Sequence, residues 1–275
     1  MEYQFELVGK IGGMALIRQE DRDIDYNIFS RIGAELKPGM IWVTSGATEI
    51  GRLDYIKRTG RELNGDPEQD KTDYSSQGQA ILMQNYRQFI RPEYGVRQIL
   101  VEHTHFNDPE KREHIRQLLI RAAEQKTIPI INYNDPVSDE ENRKMELAAR
   151  RKMGGEVYEC VDNDETAAVI AGLVKARMLV LMTSTEGIYR EVGNPDSLVR
   201  DVTGKSFEEV EKKVRELQNS CVGASRAGAN GARAKLEYAL KCVRGGTIVV
   251  IGHARHHLSE LAEGRVDCTR IGVLP

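Results

Sequence analysis

Cysteine is scarce in this sequence. Four residues, Cys160, Cys221, Cys242 and Cys268, are scattered through a chain of 275 with no CxxC pair. That spacing excludes a zinc knuckle and a dense disulfide framework, and it predicts reduced, mostly buried thiols. Long apolar runs are also missing. No stretch approaches the roughly 20 apolar residues that a membrane span needs, and the opening MEYQFELVGKIGG has neither the basic nor the apolar region of a secretory leader. The expectation is a cytoplasmic protein. Nor is charge of one sign in excess. Against 42 acidic residues stand 39 Lys and Arg, a formal net charge of −3. Such a chain has no global positive field to attract nucleic acid or an anionic membrane, so any anion must be bound locally. There is no repeat of fixed period and no low-complexity tract, which excludes solenoids and propellers.

With 40% hydrophobic and 29% charged residues the chain can bury a large core. Short apolar runs alternate with longer amphipathic segments, and this alternation predicts βαβ units around a mainly parallel sheet with helices on both faces. The strand candidates are residues 5–11, 40–44, 98–101, 127–131, 178–182 and 247–251. Helices are expected at 108–124, opening on Asp108 as N-cap with Pro109 in the first turn, at 164–176 and at 206–217. Residues 58–76 are polar and rich in Gly, Asp and Glu. They are expected to form a surface excursion between helices, serving as a lid or an oligomer contact. A second polar stretch, 190–205, contains Gly193, Pro195 and Gly204.

Two familiar nucleotide fingerprints are absent. Gly204-Lys205-Ser206 resembles the end of a P-loop, but Val199 stands where its first glycine belongs, so the tripeptide reads as a helix entry. No GxGxxG follows the first strand, which removes support for a dinucleotide-binding Rossmann domain. Instead the first strand ends in Val8-Gly9-Lys10-Ile11-Gly12-Gly13. Glycines let backbone N–H groups approach an oxyanion and a neighbouring ammonium offsets its charge, although a simple turn beside a solvated lysine fits the same letters. Val43-Thr44-Ser45-Gly46-Ala47 carries small residues from a strand into a helix start, which suits either an anion site or tight packing. Asn132-Tyr133-Asn134-Asp135 ends an apolar strand at the edge where open α/β sheets bind ligands, or forms an Asx turn into Pro136. Asp162-Asn163-Asp164 opens a helix, as caps or as a carboxylate that orients lysines or Mg²⁺. Gly228-Ala229-Asn230-Gly231 passes into a helix bearing Lys235, a second phosphate clamp or an ordinary helix start.

In their order and separations these pieces resemble the amino-acid kinase family, and its glutamate 5-kinase branch in particular, over nearly the whole chain. The resemblance also takes in Gly51-Arg52, Gly78-Gln79, Leu82-Met83 and Tyr94-Gly95-Val96. It continues through Pro129-Ile130-Ile131-Asn132-Tyr133-Asn134-Asp135, similar to PIINEND, and Asp162-Asn163-Asp164, similar to GDND. Thr183-Ser184-Thr185-Glu186-Gly187-Ile188-Tyr189 is similar to TDxxGLY, and Lys235-Leu236-Glu237 to TKLEA. The resemblance implies a three-layer αβα sandwich forming one domain over 1–275, with an acceptor lobe at about 1–160 and a nucleotide lobe at about 161–275.

It also implies ATP as phosphoryl donor, Mg²⁺ carried on the ATP phosphates, a small-molecule acceptor carboxylate and a homo-oligomer. Lys10 and Lys235 would contact the transferring phosphoryl group while Asp164 holds both. Gly12, Gly13 and Gly46 would bind phosphate. Ser45, Asn134, Asp135 and Asn163 would hold the acceptor, and Thr183, Ser184, Gly187, Tyr189 and Gly231 would surround the nucleotide. Three places depart from the pattern: Gly12-Gly13-Met14 replaces Gly-Ser-Ser, Ser184 replaces an acid, and Val161 replaces a glycine. The chain ends at Pro275, where many bacterial members continue into an RNA-binding-like PUA domain.

Other readings stay open at this point. The same fold accommodates UMP, carbamate, isopentenyl phosphate or a phosphonate as acceptor, and a non-catalytic binding or storage protein could be built on it. Retention of Lys10, Asp164 and Lys235 argues against the last. The pair His103 and His105, and the run GHARHH with His253, His256 and His257, offer either metal ligands or surface imidazoles. His103, at a strand end, could also line an acceptor pocket.

Overall fold

The computed structural model describes residues 3–138, 140–154, 157–160, 162–191, 194–220 and 231–274. The N-terminal part contains β1 (Phe5–Ile11), β2 (Ile17–Arg18), β3 (Asp23–Ile24), α1 (Tyr26–Glu35), β4 (Met40–Thr44), α2 (Ala47–Thr59) and α3 (Pro67–Phe89). Then follow β5 (Gly95–Val101), α4 (His103–Asn107), α5 (Pro109–Glu124), β6 (Thr127–Tyr133) and α6 (Glu140–Met153). The C-terminal part runs through α7 (Asn163–Leu173), β7 (Ala176–Thr183), β8 (Ile188–Tyr189), β9 (Leu198–Val199) and β10 (Asp201–Gly204). It ends with α8 (Phe207–Ser220), α9 (Gly231–Arg244), β11 (Ile248–His253), α10 (Leu258–Glu263) and β12 (Cys268–Val273). The expectations for Val161, Gly193, Cys221 and the loop 228–230 lie outside the described residues.

The chain divides into two compact units. One comprises Met1–Ile11, Gly39–Val43 and Asp162–Pro275, the other Gly12–Pro38 and Thr44–Val161. In the first, the strand order is β10-β12-β11-β7-β1-β4. The pairs β1 with β7, β11 with β7 and β10 with β12 are parallel, and β11 with β12 is antiparallel. Parallel pairing explains why β1, from the start of the chain, clusters with the C-terminal part: its partner is β7, in the register Lys10 opposite Leu181. Strands covered on both faces read as continuous apolar runs. Accordingly Met40, Ile41, Trp42 and Val43 are all buried, as is every residue from Met178 to Met182. Helix α7 is shorter than expected. Val174 returns its N–H to Ile170, Lys175 takes φ of 49°, and the turn hands the chain to β7 at Ala176, a residue expected to be helical.

In the second unit β5 and β6 pair in parallel, Gln98 opposite Ile130. The expected start at Asp108 is present, its carboxylate accepting from the N–H groups of Glu110 and Lys111 at 2.9 and 3.1 Å. Residues 58–76 are a correction to the expected surface excursion. The same Asp-Pro device recurs there, with Asp66 accepting from Glu68 and Gln69 and Pro67 in the first turn, so the polar stretch ends in the opening turns of α3. Only the connection around Gly60 to Asp66 separates α2 from α3.

These two helices touch backbone to backbone. A Cβ on Gly51 would lie 1.8 Å from the carbonyl oxygen of Tyr74, and one on Gly78 1.8 Å from that of Ala47. No side chain fits at either position, which is the physical content of the Gly51 and Gly78 motifs. Gly78→Ala is therefore expected to cost about 3 kcal/mol of unfolding free energy, the upper end for overpacking. By contrast Gly172→Ala, in the last turn of α7 with open space around it, should stabilise by about 0.5–1 kcal/mol. Urea denaturation of the two variants checks both signs.

Candidate active site

Lys10 is the penultimate residue of β1 and is only 8% exposed. Burying an ammonium there demands a counter-charge. Asp164, 5% exposed, supplies it from the first turn of α7: its Oδ1 lies 2.6 Å from the Lys10 Nζ. The other oxygen, Oδ2, lies 3.0 Å from the Nζ of Lys235, early in α9. Three elements distant in sequence thus meet at one carboxylate. Asp162 sets the local geometry as N-cap of α7, accepting from the Glu165 N–H at 2.9 Å. Burial would raise the Asp164 carboxyl, but the charges of Lys10 and Lys235 and their hydrogen bonds outweigh it and hold the group down to about 2. Asp162 moves the other way, raised by burial and then by the charge on Asp164. Two ammoniums sharing one carboxylate keep further N–H donors, an arrangement suited to a polyanion.

The same unit carries the residues expected at a nucleotide, together with Asn163, expected at the acceptor. The parallel register puts His253 of β11 opposite Thr183 of β7, at the carboxyl ends of both strands, the edge where open α/β sheets bind ligands. Thr183 Oγ1 donates to the Thr185 carbonyl at 2.9 Å, Thr185 Oγ1 donates to that of Gly187 at 3.1 Å, and Ser184 lies in the same turn. Tyr189 pairs with Leu198 in the β8–β9 hairpin. Gly231 opens α9 with φ of 33°, and Asn163 opens α7.

In the second unit Gly46, with φ of 102°, is the N-cap of α2. A Cβ on Gly13 would lie 2.9 Å from its Cα and N, so the two glycine backbones are in contact. Gly12 precedes the turn and accepts from the Ala15 N–H at 3.1 Å, while Met14 is exposed. Ser45 joins β4 to Gly46, its carbonyl accepting from the Thr44 hydroxyl at 3.0 Å. Asn134 and Asp135 sit past the end of β6. Asn134 Nδ2 donates to Glu102 at 2.9 Å, and Asp135 faces Lys71 at 3.4 Å.

Sequence reasoning did not name those partners, nor the buried Asn132 to Gln79 hydrogen bond at 2.9 Å. His103 is buried at 4% exposure, with Nε2 2.9 Å from Glu146 and Nδ1 3.4 Å from the Tyr133 hydroxyl. Among the described residues no group of three or more His, Cys, Asp or Glu could hold a metal ion, and the GHARHH run instead sends His256 to Glu186 at 2.7 Å. Cys160, Cys242 and Cys268 are buried, and burial pushes the Cys242 thiol up to about 12. No helix among the described residues is long and apolar enough to cross a membrane.

The fold and the Lys–Asp–Lys cluster define an α/β protein that concentrates cationic groups at a parallel-sheet edge. The chain belongs to the amino acid kinase family, whose model matches residues 6–253. Glutamate 5-kinase of Streptococcus suis (strain 05ZYH33) is 30% identical over 255 residues, covering 89% of this chain and 63% of that protein. Glutamate 5-kinase 2 of Bacillus subtilis (strain 168) is 31% identical over 238 residues, 82% of this chain and 56% of that protein. The chain thus spans less than two thirds of the length of these relatives. Carbamate kinase from Giardia lamblia bound to AMP-PNP aligns with a TM-score of 0.59 at 11% identity, over 98% of each chain. The T. acidophilum isopentenyl phosphate kinase product complex aligns at 0.57 with 16% identity, over 97% of this chain and 99% of that one. These likenesses bear out the expected α/β architecture with its mainly parallel sheet.

Asp164→Asn should destabilise the protein by about 3–5 kcal/mol at neutral pH, because it strands a buried ammonium. The native carboxyl is depressed from 3.8 to about 2. Its contribution is therefore complete above the unfolded-state value of about 4 and is lost as the pH falls toward about 2. Denaturation curves of both proteins should accordingly converge on acidification below about pH 4. A gap that stays constant through that window would contradict the assignment.

Proposed function

We propose that the chain is an ATP-dependent kinase that transfers the γ-phosphoryl group to a carboxylate of a small acceptor, in the manner of a glutamate 5-kinase. The observation that carries this reading is the pair of lysines, Lys10 and Lys235, held on the buried carboxylate of Asp164 in a chain of this family. Phosphoryl transfer is mostly positioning and charge neutralisation. The acceptor carboxylate, already ionised at neutral pH, attacks the γ-phosphorus in line and needs no side-chain base. The new bond joins a carboxylate oxygen to phosphorus, the bond to the bridging β–γ oxygen breaks, and ADP leaves with that electron pair. Lys10 and Lys235 balance charge on the transferring group, one toward ADP and one toward the acceptor.

The N–H groups of Gly12, Gly13 and the start of α2 at Gly46 hold phosphate. Ser45, Asn134, Asp135 and Asn163 hold the acceptor, and Thr183, Ser184, Gly187, Tyr189 and Gly231 surround the nucleotide. Both oxygens of Asp164 are engaged by lysines, so a Mg²⁺ ion fits this site as one carried on the ATP phosphates, where it shields their charge. The same reading assigns residues up to about 160 to the acceptor side and the remainder to the nucleotide side. It includes a cytoplasmic homo-oligomer without a nucleic-acid partner, in keeping with the net charge of −3.

ADP release from MgATP, measured against L-glutamate, other amino acids, UMP, carbamate and isopentenyl phosphate, tests the reading. Turnover that depends on glutamate is expected. Dependence on another member of the panel would replace the acceptor and keep the chemistry, and no turnover with any of them would count against the proposed reaction. Lys10→Ala and Lys235→Ala should each lower kcat by about 100-fold or more, since both act on charge that develops in the transition state. Unchanged kcat in both variants would refute their roles.

A further inference from the structure

The loop 183–189 leaves β7 at the carboxyl edge of the sheet and is held from two sides. On one side Ile188 donates its N–H to Thr269 Oγ1 at 2.8 Å, and that hydroxyl donates in turn to the Val199 carbonyl at 2.6 Å. Gly187 rests against the same hydroxyl, which would lie 2.4 Å from a Cβ there. On the other side the turn after β11 closes on itself, Arg255 donating its N–H to His253 Nδ1 at 3.0 Å and His256 to the His253 carbonyl at 3.1 Å. It joins the β7 end through the Ala254 N–H, 2.8 Å from the Thr183 carbonyl.

From this turn two side chains converge on Glu186. Its side chain is 13% exposed, its Oε2 lies 2.7 Å from Nε2 of His256, itself 18% exposed, and its Oε1 pairs with the guanidinium of Arg255. A carboxylate taken so far from water by an imidazole and a guanidinium costs desolvation that surface pairing would avoid. Both contacts tie the middle of the loop to the turn after β11. Ser184 stands two residues before Glu186 in this loop, and Glu186 supplies the loop's carboxylate.

We propose that Glu186 and His256 are positioning residues of the nucleotide site, fixing the 183–189 loop in the conformation that receives the nucleoside end of MgATP. The inference rests on the kinase reading above and names what organises its nucleotide side. Neither residue need touch the nucleotide. Their effect is preorganisation: a loop already ordered loses less entropy when the ligand binds.

The test is the dissociation constant of the magnesium complex of AMP-PNP, measured by calorimetry on the full chain without acceptor, together with steady-state kinetics and thermal unfolding. His256→Ala and Glu186→Ala are expected to weaken AMP-PNP and raise KM for ATP about 10-fold. Saturating kcat and the acceptor KM should stay within about twofold. His256→Gln, which keeps a donor for Glu186 and the fold around it, should restore most of the affinity. Unchanged AMP-PNP affinity in the folded Ala variants would overturn the inference while leaving the kinase reading intact. So would a parallel fall in kcat, both KM values and thermal stability, because that pattern marks a staple of the fold. Failure of the wild-type protein to bind AMP-PNP would instead overturn the kinase reading and this inference with it.

Discussion

The shared carboxylate of Asp164 is the interaction on which the C-terminal unit depends. A lysine inside a parallel strand has no water to solvate it, so Lys10 requires an opposite charge at hydrogen-bond distance. Asp164 meets that need, and by accepting Lys235 on its second oxygen it also ties α9 to α7 and β1. The charge balance is equally informative. Two ammoniums contact the Asp164 carboxylate directly and the Asp162 carboxyl lies within electrostatic reach of both, in a chain whose net charge is −3. A simple ion pair presents one ammonium to its carboxylate, whereas here two ammoniums with further N–H donors meet at one.

A different constraint governs the N-terminal unit. The helices α2 and α3 approach until backbone meets backbone at Gly51 and Gly78, and Gly13 meets Gly46 in the same way. Close approach of this kind leaves no side-chain rotamers to adjust, so the start of α2 is held by geometry more than by adaptable packing. The polar side chains at the ends of β5 and β6 are correspondingly engaged by neighbours, Asn134 by Glu102, Asn132 by Gln79 of α3 and His103 by Glu146 of α6. A ligand recognised there would meet side chains whose orientations are already set by neighbours, which favours discrimination by shape and hydrogen bonding.

Much of the fold was legible because buried parallel strands advertise themselves. The residues of β4 form an apolar run and those of β1 are mostly apolar, interrupted by Glu6 and Lys10, and both strands occur with the expected bounds. The opening of α3 was missed although it has the same Asp-Pro start as α5, because its first turns carry no apolar periodicity and helix and polar loop look alike without it. Strands β10 and β12 were missed for a related reason: four to six residues interrupted by Asp, Thr, Arg and Gly carry little pattern, and their pairing with each other is decided by the sheet. At the site, Lys10, Asp164 and Lys235 were each ambiguous alone and became readable from their order along the chain. The structure brings the three side chains together at 2.6 and 3.0 Å. The partners of Asn134, His103 and Glu186 were not readable, since each lies tens of residues away.

The sequence by itself determined the α/β architecture, the family and the identity of the three charged residues at the sheet edge, because hydrophobic period, helix-start chemistry and motif order are all written locally along the chain. Tertiary structure alone decided which side chains neutralise which. Whether His256 faces a metal, solvent or Glu186, and whether Asp162 or Asp164 takes the lysines, depends on strand register and helix placement to within an ångström or two. Electrostatic and hydrogen-bond energies fall off over that distance, and no local pattern in the chain encodes it.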